Sequence, residues 1–112
     1  MSFDWKSYIH LAEELVKRQE ESCLRSSISR AYYGVFRIAR NKKGYEMYKK
    51  SDIHSKVINA YKEDENLRKV GWNLDELRKA RNEADYDDKE IRKNKAESML
   101  LLAKEILIKL EN

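Results

Sequence analysis

Residues 24–40 read Leu24-Arg25-Ser26-Ser27-Ile28-Ser29-Arg30-Ala31-Tyr32-Tyr33-Gly34-Val35-Phe36-Arg37-Ile38-Ala39-Arg40. Leu24, Ile28, Ala31, Val35, Ile38 and Ala39 recur every three or four residues, which puts them on one side of an α-helix. A half-buried strand would alternate at every second residue, and this stretch does not. The rhythm continues in both directions. Trp5, Tyr8, Ile9, Ala12, Leu15 and Val16 predict a first helix from Asp4 to Glu20, with Asp4 as its N-cap. The second helix then runs from near Ser22 to near Asn41, and Gly44 follows the Lys42-Lys43 pair as a stop signal. Tyr45 to Lys50 reads as a polar, aromatic connector. Ser51 or Asp52 caps a short third helix carrying Ile53, Val57, Ala60 and Tyr61. A fourth helix is expected over Asp64–Asp85 and a fifth, the most apolar, over Lys89–Leu110.

Composition supports an all-α fold. The chain has 112 residues, three glycines and no proline. Sandwiches and barrels need turn residues every 8–12 positions or so, and these are missing. No G-x-G or G-x-x-x-x-G-K phosphate loop occurs. Hydrophobic residues make up 41% and charged residues 39%, so each helix must combine a core stripe with a charged outer face. The expected architecture is one domain over residues 1–112, an up-and-down antiparallel bundle of about five helices. Single Cys23 cannot form an internal disulfide, and no Cys/His spacing matches a metal site, so no cofactor is expected. The opening residues lack a signal-peptide core and no apolar run approaches a membrane span, so the chain reads as soluble and cytoplasmic.

Three constellations stand out. Ser26, Arg30, Tyr33, Arg37 and Arg40 form a stripe on the second helix roughly opposite its apolar face. They lie within Arg25–Lys50, which holds eight basic residues and one acidic residue within a chain of net charge +4. Guanidiniums interleaved with a tyrosine suit a phosphate backbone and a stacked base. The same stripe also reads as a solvated face. In the fourth helix Leu67, Val70, Leu74 and Leu77 set a three-four rhythm that continues to Arg81 and Ala84, so Arg81 stands where a leucine belongs. Such a guanidinium needs a partner or a ligand. Asp85, one turn on, could pair with it structurally, or Arg81 could face a cleft. His54 lies one turn from Val57 and points toward the bundle, as a packing residue or as an acid–base group. His10 falls on a polar side. Asp85, Asp87 and Asp88 read as a charged loop. Ala96, Met99, Ala103, Ile106 and Leu110 form the core stripe of the fifth helix, while Leu101 and Ile108 form a second apolar strip that suits a partner helix, most simply that of a second subunit.

Two of these segments carry a family resemblance. Ser26–Phe36, Ser-Ser-Ile-Ser-Arg-Ala-Tyr-Tyr-Gly-Val-Phe, is similar to the second-helix signature of HEPN-domain proteins. Leu77–Asp87, Leu-Arg-Lys-Ala-Arg-Asn-Glu-Ala-Asp-Tyr-Asp, resembles the second signature of that family, and Ile53-His54-Ser55 resembles its short third-helix segment. The resemblance implies a helical bundle that dimerises around a basic cleft. It implies a nucleotidyltransferase-domain partner, often in a toxin–antitoxin pair. In active members it implies metal-independent RNA cleavage by an arginine, a polar residue and a histidine a few positions on. Arg81 and Asn82 match the start of that motif, but residues 85–88 are Asp85, Tyr86, Asp87 and Asp88.

The expected function is therefore nucleotide or RNA binding by a homodimer, with Arg30, Tyr33, Arg37, Arg40 and Asp85 as binding residues. A ribonuclease is the alternative, with Arg81 and Asn82 and with His54 or Tyr86 replacing the missing histidine. A non-catalytic module that docks a partner through its fifth helix is the third reading.

Overall fold

A computed structural model describes residues 3–112. It contains α1 (Lys6–Leu15), α2 (Glu21–Lys42), α3 (Ile53–Lys62), α4 (Arg68–Tyr86) and α5 (Lys93–Glu111), with no strand among the described residues. The five expected helices are all present. Their ends differ, because local polar contacts decide them. Asp4 accepts from the Lys6 N–H at 3.1 Å, so it caps one residue ahead of the helix proper. Asp52 does not cap α3, because its carboxylate accepts from the Tyr48 hydroxyl at 2.6 Å instead. Asp64 accepts from the backbone of Asn66 and Leu67, which makes Asp64–Leu67 a turn and delays α4 to Arg68. Gly44 turns the chain out of α2 with φ +79°.

α2 is the central helix and packs against α1, α4 and α5. Ile28, Ala31, Tyr32, Val35, Phe36 and Ala39 are buried along it, with Leu74 and Leu77 of α4 and Ala103 and Ile106 of α5 in the same core. Ser27 donates across to the Ala12 carbonyl at 2.8 Å, and Gly34 lets α1 come close. A Cβ on Gly34 would lie 3.2 Å from the Trp5 carbonyl oxygen and 2.9 Å from Ile9 Cγ1. α1 and α2 are therefore antiparallel, as are α2 and α4, where Ser29 meets Asp85 and Tyr32 meets Arg81.

Strict up-and-down order breaks at α3. His54 lies beside Tyr32 and Phe36, the Tyr61 hydroxyl donates to the Ala39 carbonyl, and Lys43 pairs with Asp64 at 2.8 Å. α3 thus runs in the same sense as α2 and antiparallel to α4. The link over residues 43–52 permits this. Ten residues reach up to about 33 Å extended, ample to return along the two turns of α2 that separate Phe36 from Lys43. The reversal brings the first turn of α3, and His54 with it, to the middle of α2.

A second departure concerns Arg25. It belongs to the basic run, yet its guanidinium closes the C-terminus of α4. Nη1 donates to the carbonyls of Glu83, Ala84 and Asp87 and Nη2 to that of Lys89, while Nε pairs with Glu21 at 2.9 Å. Glu21 also accepts from the Ile91 N–H. Helix C-terminal carbonyls lack intrahelical donors, and a cation there also complements the helix dipole. This clamp holds the extended α4–α5 link and explains why α5 begins at Lys93 rather than Lys89.

Candidate functional site

The site lies where the middle of α2, the first turn of α3 and the last half of α4 meet. α2 presents Tyr32, Tyr33, Phe36 and Arg37, which helical spacing places on adjoining stripes one turn apart. α4 presents Arg78 and Arg81, one turn apart, and then Asp85. α3 contributes His54. Its imidazole stacks on Phe36 at 4.3 Å between ring centroids, lies nearly parallel to Tyr32 and meets Tyr33 edge-on.

Tyr32 is fully buried, and its hydroxyl lies 2.6 Å from His54 Nδ1. That hydroxyl has no other acceptor among the described residues. A buried hydroxyl needs one, so it donates to Nδ1 and the imidazole carries its proton on Nε2. Burial pushes the Tyr32 phenol well above its ordinary pKa. Burial also pushes His54 down to about 4, aided by the charges of Arg78, Arg81 and Arg37. At neutral pH the pair is an uncharged phenol bonded to an uncharged imidazole, facing three cations.

Among the described residues those three cations have a single carboxylate partner between them, Asp85. Arg81 is 7% exposed, and its guanidinium carbon stands 5.4 Å and 5.2 Å from the rings of Tyr32 and Tyr33. Its one carboxylate, Asp85, lies at 3.6 Å, too long for a hydrogen bond, and is shared with the Ser29 hydroxyl. Among the described residues Arg37 and Arg78 form no ion pair with a carboxylate. Arg37, Arg78 and Arg81 each hold a buried Nε with no hydrogen-bond acceptor. A buried donor without an acceptor is costly, and three together leave this cluster rich in donors and short of acceptors.

The structure brings some of the predicted residues together and separates others. Arg81 is on the α4 seam, and His54, Tyr33 and Arg37 join it. Arg30 stands next along α2, its guanidinium 4.9 Å from the Tyr8 ring. Arg40 lies at the far end, where its Nε donates to Asn41. Ser26 is exposed away from the cluster. Asn82 and Tyr86 do not face Arg81. At about 100° of rotation per residue, one and five positions on are other faces of the helix. Tyr86 is 78% exposed, in a shallow depression with Asn82, Glu83, Asp87 and Asp88. Asp87 accepts from the Lys89 N–H, and no three acidic, His or Cys side chains converge as a metal site among the described residues.

Tyr32 and Arg78 went unnoticed as site residues. Arg78 flanks the α4 seam, where an arginine looks solvated, and Tyr32 looks like core. The adjacency of Tyr32 and Tyr33 was the available signal, since two neighbouring aromatics on one helix face different partners.

The chain belongs to the HEPN domain family, whose model matches residues 6–112. No curated protein and no solved structure is a significant match. Among the described residues no helix is long and apolar enough to cross a membrane.

Proposed function

We propose that the protein binds RNA or a nucleotide by a phosphate seated among Arg37, Arg78 and Arg81. The observation that carries this reading is the set of three buried, acceptor-less Nε donors around a neutral Tyr32–His54 pair. The binding unit is a homodimer joined through α5, since Leu101 and Ile108 are 60% and 59% exposed on one strip. It acts with a nucleotidyltransferase-domain partner in a toxin–antitoxin or defence module, a context that family membership supports.

The test is titration of a labelled RNA oligonucleotide at rising salt. Affinity should fall steeply with salt, because phosphate contacts release counterions. Arg37→Gln and Arg78→Gln should each cost roughly tenfold or more in affinity and flatten the salt slope. Light scattering should give twice the 13.4 kDa chain mass, and Leu101→Glu with Ile108→Glu should give one chain mass. Wild-type protein that ignores RNA and nucleotides at low salt would sink the binding reading.

One observation favours a second reading, metal-independent RNA cleavage. His54 shares the cluster with Arg81, and its Nε2–H beside that cation gives two donors that can stabilise developing phosphate charge. RNA cleavage that persists in chelator, and is lost in both His54→Gln and Arg81→Gln, would establish it.

A further inference from the structure

Beside the arginine cluster, between α1 and α2, lies a surface pocket of about 260 Å³ lined by Trp5, Tyr8, Arg30, Tyr33 and Arg37. Sequence periodicity places Trp5 and Tyr8 on the apolar face of α1, as packing residues. The structure leaves both only partly buried, while Ile9 and Ala12 carry the core contact. Gly34 is the reason. With no side chain there, the backbone of α1 seats against α2 at Trp5 and Tyr8, and their rings project beside Arg37 and Arg30 instead of between the helices.

The result is an alternation of rings and guanidiniums. Phe3, Trp5 and Tyr8 contact one another edge to face, with centroids 4.7–5.6 Å apart. Arg37 lies 5.2 Å from the Trp5 ring and Arg30 4.9 Å from the Tyr8 ring. Tyr33 and Arg37 also belong to the arginine cluster, so the pocket and the cluster share a wall. Every base offers a π-face to an aromatic ring whatever its identity, and arginine binds both rings and phosphate.

We propose that this pocket is a stacking subsite for one unpaired nucleobase, so that the ligand is a single-stranded nucleic acid whose neighbouring phosphate sits among Arg37, Arg78 and Arg81. This rests on the phosphate reading given above and adds the substrate class. A duplex hides its base faces and cannot use the pocket. A purely structural ring cluster would serve no ligand.

The experiment compares three probes of equal length: a single-stranded oligoribonucleotide, the same backbone with abasic sites, and a duplex. Binding of every variant is followed by the anisotropy of a label on the probe, and protein that keeps Trp5 is also followed by Trp5 fluorescence in a Trp72→Phe background, which leaves Trp5 as the only tryptophan. The single strand should quench Trp5 and bind roughly tenfold or more tighter than the abasic strand, with the duplex no better than the abasic one. Trp5→Leu should erase that difference and Trp5→Phe should restore most of it, with melting curves confirming that both variants fold. Equal binding of single-stranded and abasic probes, with unchanged Trp5 fluorescence, overturns the stacking subsite and leaves the phosphate site standing. Absence of binding to every probe at low salt overturns both.

Discussion

Arg81 takes a leucine's place on the α4 seam, and the two tyrosine rings it lies against keep it buried. It shares that setting with Arg37 and Arg78, which repel it and each other. Removing one cation should therefore relieve strain while impairing function, a trade-off expected where a site is built against stability. We expect Arg78→Gln to leave the melting temperature unchanged or higher while RNA or nucleotide affinity falls. His54 reports the same field. Its pKa of about 4 reflects burial first and the three arginines second. A bound phosphate neutralises the second cause, so ligand should raise the His54 pKa in an NMR titration, and Arg78→Gln should raise it without ligand. A His54 pKa that ignores both changes would show that the cations do not converge on it. At this scale Arg81 was legible, because the three-four rhythm of α4 exposes a charge where leucine belongs. Arg78 was not. Nothing on α4 alone marks it, and its meaning comes from α2 and α3 arriving opposite.

Helix positions were largely legible from apolar spacing, whereas helix ends and directions were not. The ends depend on where single polar side chains go, as Asp52 and Asp64 show. The direction of α3 depends on the link over residues 43–52, whose path no periodicity encodes. Arg25 is the sharpest instance. In sequence it is one more cation of a basic run, but in space it is the C-terminal cap of α4. Its side chain is 20% exposed and satisfies carbonyls at the end of α4 and in the first half of the α4–α5 link. Arg25→Ala should cost about 3 kcal/mol, the order of losing charged hydrogen bonds to groups left without donors. Arg25→Lys should recover only part of that, since an ammonium lacks the planar fork. Hydrogen exchange should accelerate locally over residues 84–92. A loss of stability without local exchange would mean that the contact is not a cap.

Across the whole molecule, acid should destabilise the fold in two stages. His54 is held below its ordinary 6.5, so the unfolded chain binds that proton more readily. Stability from this source is complete above about 6.5 and declines as pH falls toward 4. Three carboxylates are also held below their ordinary values: Glu21 by the Ile91 N–H and Arg25, Asp64 by Lys43 and the Asn66 N–H, and Glu13 by Lys104. Their contribution is present above the ordinary carboxylate range and is lost on further acidification. Thermal melts from pH 7 to 3 should fall throughout, and His54→Gln should flatten only the upper part of that slope. An identical slope in the variant would remove His54 from the account.

The returning link over residues 43–52 also makes the chain divisible. On one side of it stand α1 and α2, with Tyr32, Tyr33 and Arg37. On the other stand α3, α4 and α5, with His54, Arg78 and Arg81. What joins the halves is packing of α2 on α4 and α5, the Arg25 clamp, the contacts of α2 with α3 and the Lys43–Asp64 pair at the start of the link, and each of these survives a cut further along the link. A break between Glu46 and Lys50 should therefore yield two polypeptides that reassociate when co-expressed. Neither half contains a complete set of arginines, so recovered RNA binding would measure complementation directly. Fragments that stay apart would mean that the covalent tether supplies the effective concentration holding α3 against α2.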